Sequence, residues 1–122
     1  MADLIVRGGK KLNGEITPAG NKNAALPILC ATLLTDDTIT LKNFPDLLDV
    51  NKLIDLLISL GSEINWDKEN KTITINNSNL RKDFGEEGFP LGMRGAVLLL
   101  GPLAVRMDKI EVKTEIGGCS LG

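Results

Sequence analysis

Three places in this sequence put chemistry-bearing side chains where a substrate could reach them. The first is Gly20-Asn21-Lys22-Asn23, directly ahead of an apolar stretch that reads as a helix. A helix start exposes backbone N–H groups carrying partial positive charge, and a lysine there adds a full one, so the pair suits a phosphate or a carboxylate. The same four residues also read as a plain turn with a surface lysine and an asparagine cap, and the local sequence by itself leans that way. The second is Arg94, after Gly92-Met93 at the start of another apolar helix. Positive charge is slightly unfavourable at that end of a helix, so a compensating anion is expected. Either a bound oxyanion or an acid such as Glu86 or Glu87 could supply it. The third is Cys119 in Gly117-Gly118-Cys119-Ser120-Leu121-Gly122. A thiol in a glycine-rich loop gains little by packing and can reach a substrate. With a pKa near the ordinary value of about 8.5 it stays mostly protonated at neutral pH, fit to donate a proton as readily as to attack. Cys30, within Leu29-Cys30-Ala31, reads instead as a buried structural thiol.

These groups need elements to hold them. Residues 24–34 are apolar nearly all round and predict a buried helix, which tolerates Pro27 if it begins near Ala24 or Ala25. Residues 38–41 alternate as a half-buried strand does. In residues 46–60, Val50, Leu53, Ile54, Leu57 and Leu60 recur at spacings of three and four, with Asp46 a candidate N-cap and Gly61 a candidate residue just past the C-terminus. Residues 62–66 and 71–75 predict an antiparallel hairpin joined by Asp67-Lys68-Glu69-Asn70. Residues 76–90 read as a surface connection, and residues 93–105 as a helix kinked or shortened by Gly101-Pro102. Short strands are expected around residues 4–6, 14–17 and 110–112. The order is α/β with mixed strand directions, unlike a regular doubly wound nucleotide-binding sheet. Neither GxGxxG nor GxxxxGK[ST] occurs.

Composition narrows the function. The chain has 122 residues, 14 Lys+Arg against 16 Asp+Glu, and no histidine. The charge balance argues against nucleic acid as a partner, which would call for excess cations. Without histidine, a Ser-His-Asp or Cys–His mechanism and a histidine-ligated metal are closed to these residues alone. The two cysteines form no metal-ligand pattern, and such sparse thiol use suits a reducing compartment. The apolar stretches at 24–34 and 96–105 are too short to span a bilayer, and residues 1–7 lack a signal-like run. The expectation is a cytoplasmic protein with no membrane partner.

The three sites together resemble one family. Gly20-Asn21-Lys22-Asn23-Ala24-Ala25-Leu26-Pro27-Ile28-Leu29, then Met93-Arg94-Gly95-Ala96 with Leu100-Gly101-Pro102-Leu103-Ala104, then Gly117-Gly118-Cys119-Ser120-Leu121-Gly122, are similar in order and spacing to segments of the UDP-N-acetylglucosamine 1-carboxyvinyltransferases. The resemblance implies transfer of the enolpyruvyl group of phosphoenolpyruvate to the 3′-hydroxyl of UDP-N-acetylglucosamine, in peptidoglycan synthesis, without metal or organic cofactor. It implies Cys119 as proton donor and as the point of attachment of fosfomycin, Lys22 and Asn23 as contacts to phosphoenolpyruvate and its neighbour, and Arg94 as a contact to the UDP-sugar.

It also implies a fold of βαβαββ-type units, the inside-out α/β barrel of the enolpyruvyl transferases, here incomplete. Residues 1–20 would be strands that join a second domain, and residues 21–122 part of the first domain, ending in the catalytic loop. Family members are several times longer, so an incomplete site and an inactive isolated chain are expected. Apolar surface on residues 3–17, left without its partner, would favour self-association. Ile116 stands where proline is common in the family, and Asn21 where alanine is. The alternatives are a shikimate-pathway enolpyruvyl transferase and a non-catalytic α/β binding or oligomerisation domain in which Cys119 is incidental.

Overall fold

The apolar run after Lys22 folds as a helix, α1 (Lys22–Ala31), continued by a 3-10 turn over Thr32–Leu34. The structure, a computed structural model, describes residues 2–90, 92 and 94–112. The helix begins two residues before the expected start because Asn21, extended at φ −99° and ψ 134°, caps it through its side chain. Its Oδ1 accepts a hydrogen bond from the Asn23 backbone N–H at 2.7 Å. Pro27 therefore lies in the second turn and has no N–H to give the carbonyl of Asn23. Ala25, Leu29 and Cys30 form the buried face.

Strand β1 (Ile39–Leu41) follows, then helix α2 (Leu48–Ser59), whose Val50, Leu53, Ile54 and Leu57 are buried as their spacing predicts. Asp46 is not its N-cap; Leu47 is, with no side-chain bond. The Asp46 carboxylate instead accepts from Asn51 Nδ2 at 2.7 Å and Lys68 Nζ at 3.2 Å. The C-terminus closes as a Schellman motif: the Gly61 N–H donates to the Ile58 carbonyl, and the Ser62 N–H to that of Leu57. Gly61 has φ 106°, and a Cβ there would sit 2.5 Å from the Asn79 carbonyl oxygen, so both backbone and space require glycine.

Strands β2 (Glu63–Asp67) and β3 (Thr72–Asn76) pair antiparallel from Glu63↔Asn76 to Asp67↔Thr72. The expected hairpin is thus present, with its turn one residue later, at 68–71. β1 pairs antiparallel with the other edge of β3, giving the sheet order β1-β3-β2. Central Ile73 and Ile75 point into the core, and Thr72 and Thr74 alternate away.

Residues 76–90 are not merely a surface connection. Asn77, Phe84 and Phe89 are buried, and the two phenyl rings meet edge to face at 5.4 Å and 83°. Residues 94–106 divide into a 3-10 segment, Arg94–Leu99, and helix α3 (Leu100–Arg106). Gly101-Pro102 falls in the first turn of α3, where a missing N–H costs no intrahelical bond. Residues 110–112 form no strand, although the Phe89 N–H donates to the Glu111 carbonyl at 3.0 Å. Residues 2–19 are exposed and carry no strand either, Leu4 and Ile16 being 89% and 91% accessible. A strand needs a partner for its ladder, and among the described residues, residues 2–19 have none.

Candidate functional site

The approach to α1 is fixed by the linker between β1 and α2. Asn43 Nδ2 donates to the Pro18 carbonyl at 3.1 Å, and Gly20 lies against that linker so closely that a Cβ would come within 2.8 Å of Pro45 Cδ and nearer still to the Asn43 carbonyl oxygen. Asn43 itself adopts φ 54°, and the neighbouring Phe44 N–H donates to the Lys71 carbonyl at 2.8 Å. The chain is thus pinned two residues before Lys22. That sets Asn21 as cap, and Lys22 and Asn23 as the first two residues of α1, both exposed.

Helices α1 and α2 run side by side in the same direction. At their N-termini, Lys22 Nζ meets Asp49 Oδ2 at 3.0 Å. At the far end, Asn77 joins them: its Nδ2 donates to the Thr32 carbonyl and Oγ1 at 3.0 and 3.1 Å, and its Oδ1 accepts from Ser62 Oγ at 2.5 Å. Two helix starts therefore lie together, and their dipoles add at the same end. Asp49 stands in the first turn of α2, where negative charge is favoured. The hydrogen bond from Lys22, and then its charge, hold the Asp49 carboxyl below its ordinary 3.8. Both side chains remain about half exposed, at 45% and 48%, so the ammonium keeps donors facing solvent.

Beside this helix start is a cavity of about 430 Å³, bounded by Gly20, Asn21, Ala24 and Ile28 on one side and by Thr40 and Asn43 on the other. Lys22 and Asn23, between Asn21 and Ala24 in sequence, do not line it. The segment that Arg94 opens packs on α1, where a Cβ on Gly95 would be 3.6 Å from Leu26 Cδ1. The Arg94 backbone and Lys22 therefore belong to adjoining elements. The Arg94 side chain, and with it the expected pairing with Glu86 or Glu87, lies outside the description, as does Cys119. Cys30 is buried, and burial pushes its thiol up to about 11, consistent with a structural role.

The spacing of residues 46–60 does not single out Asp49. This aspartate lies 27 positions from Lys22, and no local signal joins the two. Among the described residues no cluster of three metal-ligating side chains occurs, and no helix is long and apolar enough to cross a membrane.

Comparison with known proteins gives these features a context. UDP-N-acetylglucosamine 1-carboxyvinyltransferases from Endomicrobium trichonymphae and Acinetobacter baylyi are 43% and 42% identical over all 122 residues. The chain spans only about 28% of their length. The crystal structure of the enolpyruvyl transferase NikO from Streptomyces tendae superposes with a TM-score of 0.63 at 23% identity, over 81% of this chain and 23% of the other. That likeness bears on the fold alone, and it agrees with an incomplete α/β unit of the enolpyruvyl transferase type. The pattern of EPSP synthase (3-phosphoshikimate 1-carboxyvinyltransferase) matches residues 6–122, nearly the whole chain, and this protein belongs to that family of enolpyruvyl transferases.

Proposed function

We propose that this chain forms part of an enzyme that transfers the enolpyruvyl group of phosphoenolpyruvate to the 3′-hydroxyl of UDP-N-acetylglucosamine, in the cytoplasmic stage of peptidoglycan synthesis. The observation that carries the reading is the 39–43% identity, over the full 122 residues, to relatives named for that acceptor. The family description names shikimate 3-phosphate chemistry, which makes the shikimate-pathway reaction the second reading.

The reaction adds the 3′-hydroxyl to C2 of phosphoenolpyruvate while a proton enters at C3. Loss of phosphate from C2 and of the C3 proton then gives the enolpyruvyl ether. Lys22, at paired helix starts, suits the phosphate or carboxylate of phosphoenolpyruvate, with Asn23 beside it. Arg94 is assigned to the UDP-sugar. Cys119 is assigned to deliver the proton, since a thiol with an ordinary pKa still carries hydrogen at neutral pH. Residues 1–20 are assigned to a second domain, and their exposed apolar side chains would promote association of the isolated chain. No metal or organic cofactor enters this scheme.

The test is a graft. These 122 residues replace the matching segment of the Acinetobacter baylyi relative, and phosphate release is measured with each acceptor. Turnover with UDP-N-acetylglucosamine, and none with shikimate 3-phosphate, is expected; the reverse preference would install the second reading. In the graft, Cys119→Asp keeps turnover, because a carboxylic acid still donates a proton, and loses fosfomycin sensitivity. The 122-residue chain alone is expected to release no phosphate.

A further inference from the structure

We infer that Asp49 is a positioning residue for phosphoenolpyruvate binding, acting through Lys22; the inference rests on the role proposed above for Lys22. Lys22 occupies the first position of α1, beside the start of α2, where two helix dipoles disfavour a cation. Without a nearby anion the flexible lysine stem would carry its charge away into solvent. Asp49 supplies that anion at 3.0 Å, from a backbone fixed by the buried face of α2. Only one of the three ammonium donors is engaged by this contact, and two are left for a ligand oxygen.

The pair does little for the fold, since ion pairs this exposed contribute little to stability. Its consequence falls on the ligand, and two effects compete there. The Asp49 charge, roughly 6 Å from a ligand oxygen on Lys22, repels a dianion by a factor of about ten in water before salt screening. Holding the lysine in one arrangement spares the ligand an ordering cost worth up to about thirtyfold. Positioning wins, so removing the carboxylate weakens binding even though it removes a repulsive charge. A purely electrostatic account gives the opposite sign.

The experiment is a double-mutant cycle in the full-length grafted enzyme. Asp49→Asn should raise KM for phosphoenolpyruvate about threefold, with kcat and KM for the UDP-sugar within twofold of the parent. Asp49→Glu should recover most of that loss. In a Lys22→Gln background, Asp49→Asn should add nothing, because the partner it positions is gone. A lowered or unchanged KM in Asp49→Asn, or additive effects of the two substitutions, would overturn the inference while leaving the role of Lys22 intact. An unchanged KM in Lys22→Gln would instead remove the role of Lys22, and this inference with it.

Discussion

Replacing Asn77 by alanine tests whether the two helices that carry Lys22 and Asp49 are held in register from their far ends. Asn77 is 1% exposed and its side chain makes three hydrogen bonds, to the Thr32 carbonyl, to Thr32 Oγ1 and to Ser62 Oγ. Thr32 and Ser62 are themselves buried, so water cannot replace the lost partner without entering the core. The Thr32 hydroxyl keeps its own bond to the Leu29 carbonyl at 2.6 Å, which limits the damage on that side. The Thr32 carbonyl and the Ser62 hydroxyl are left short of a partner, at about 1–3 kcal/mol each. The expected loss is about 3 kcal/mol, which for a chain of this length lowers the unfolding midpoint by roughly 10 °C. Trp66, the sole tryptophan, lies edge-on to Phe44 at 5.6 Å and reports unfolding in urea by its fluorescence. Asn77→Asp should also be destabilised, because a carboxylate can accept from Ser62 but cannot donate to Thr32. Stability of Asn77→Ala within about 1 kcal/mol of the parent would refute the account of Asn77 as the tie between α1 and α2.

Gly20→Ala forces the chain off the β1–α2 linker, because the contacts there are with the Asn43 backbone and the Pro45 ring. It should cost about 2 kcal/mol in urea unfolding and raise KM for phosphoenolpyruvate in the graft; an unchanged midpoint would show that the linker yields freely. The carboxyls of Asp46, Asp49 and Asp67 are each held below 3.8, chiefly by side-chain hydrogen bonds from Asn51, Lys22 and Asn70 respectively. A depressed folded pKa gives stability that is present above the unfolded value and is lost as pH falls through the folded one. The urea midpoint should therefore hold down to about pH 4 and decline below it, and the decline should be shallower in Asp67→Asn. An acid limb identical in that variant would count against this origin. At pH 8 a thiol reagent should modify Cys119 readily and Cys30 only on unfolding, since burial raises the Cys30 thiol to about 11; equal rates at the two cysteines would favour an incidental Cys119.

Periodicity was a sound guide where burial is one-sided. The α2 face, the hairpin and the Gly61 terminus follow from residues within a turn or two of one another, and each stands close to where spacing put it. The errors fall where a partner decides. Asp46 has the chemistry of a cap, yet its carboxylate is drawn to Asn51 and to Lys68, which lies 22 residues on, in the hairpin turn. Residues 76–90 look polar and glycine-broken, but Asn77 is buried because three groups from distant elements meet it, and Phe84 and Phe89 because they pack on each other. The strand-like patterns at 4–6 and 14–17 describe a preference that only a neighbouring strand can realise.

The candidate site divides along the same line. That Lys22 stands at a helix start was readable, because Asn21 and the apolar run are adjacent in sequence. That this start lies beside a second one was not, since the parallel placement of α1 and α2 depends on Asn77 joining Thr32 and Ser62 at their far ends, positions remote from Lys22 in sequence. An isolated lysine ahead of a helix is weak evidence for a ligand. A lysine whose backbone is pinned by Gly20 against Asn43, and whose ammonium is aimed by a carboxylate from a parallel helix, has little freedom left to lose. Preorganisation of that kind is what binding a small dianion demands, because so few contacts are available to repay an ordering cost. The long-range contacts around Lys22 thus matter more to the proposed chemistry than the local motif by which it was first noticed.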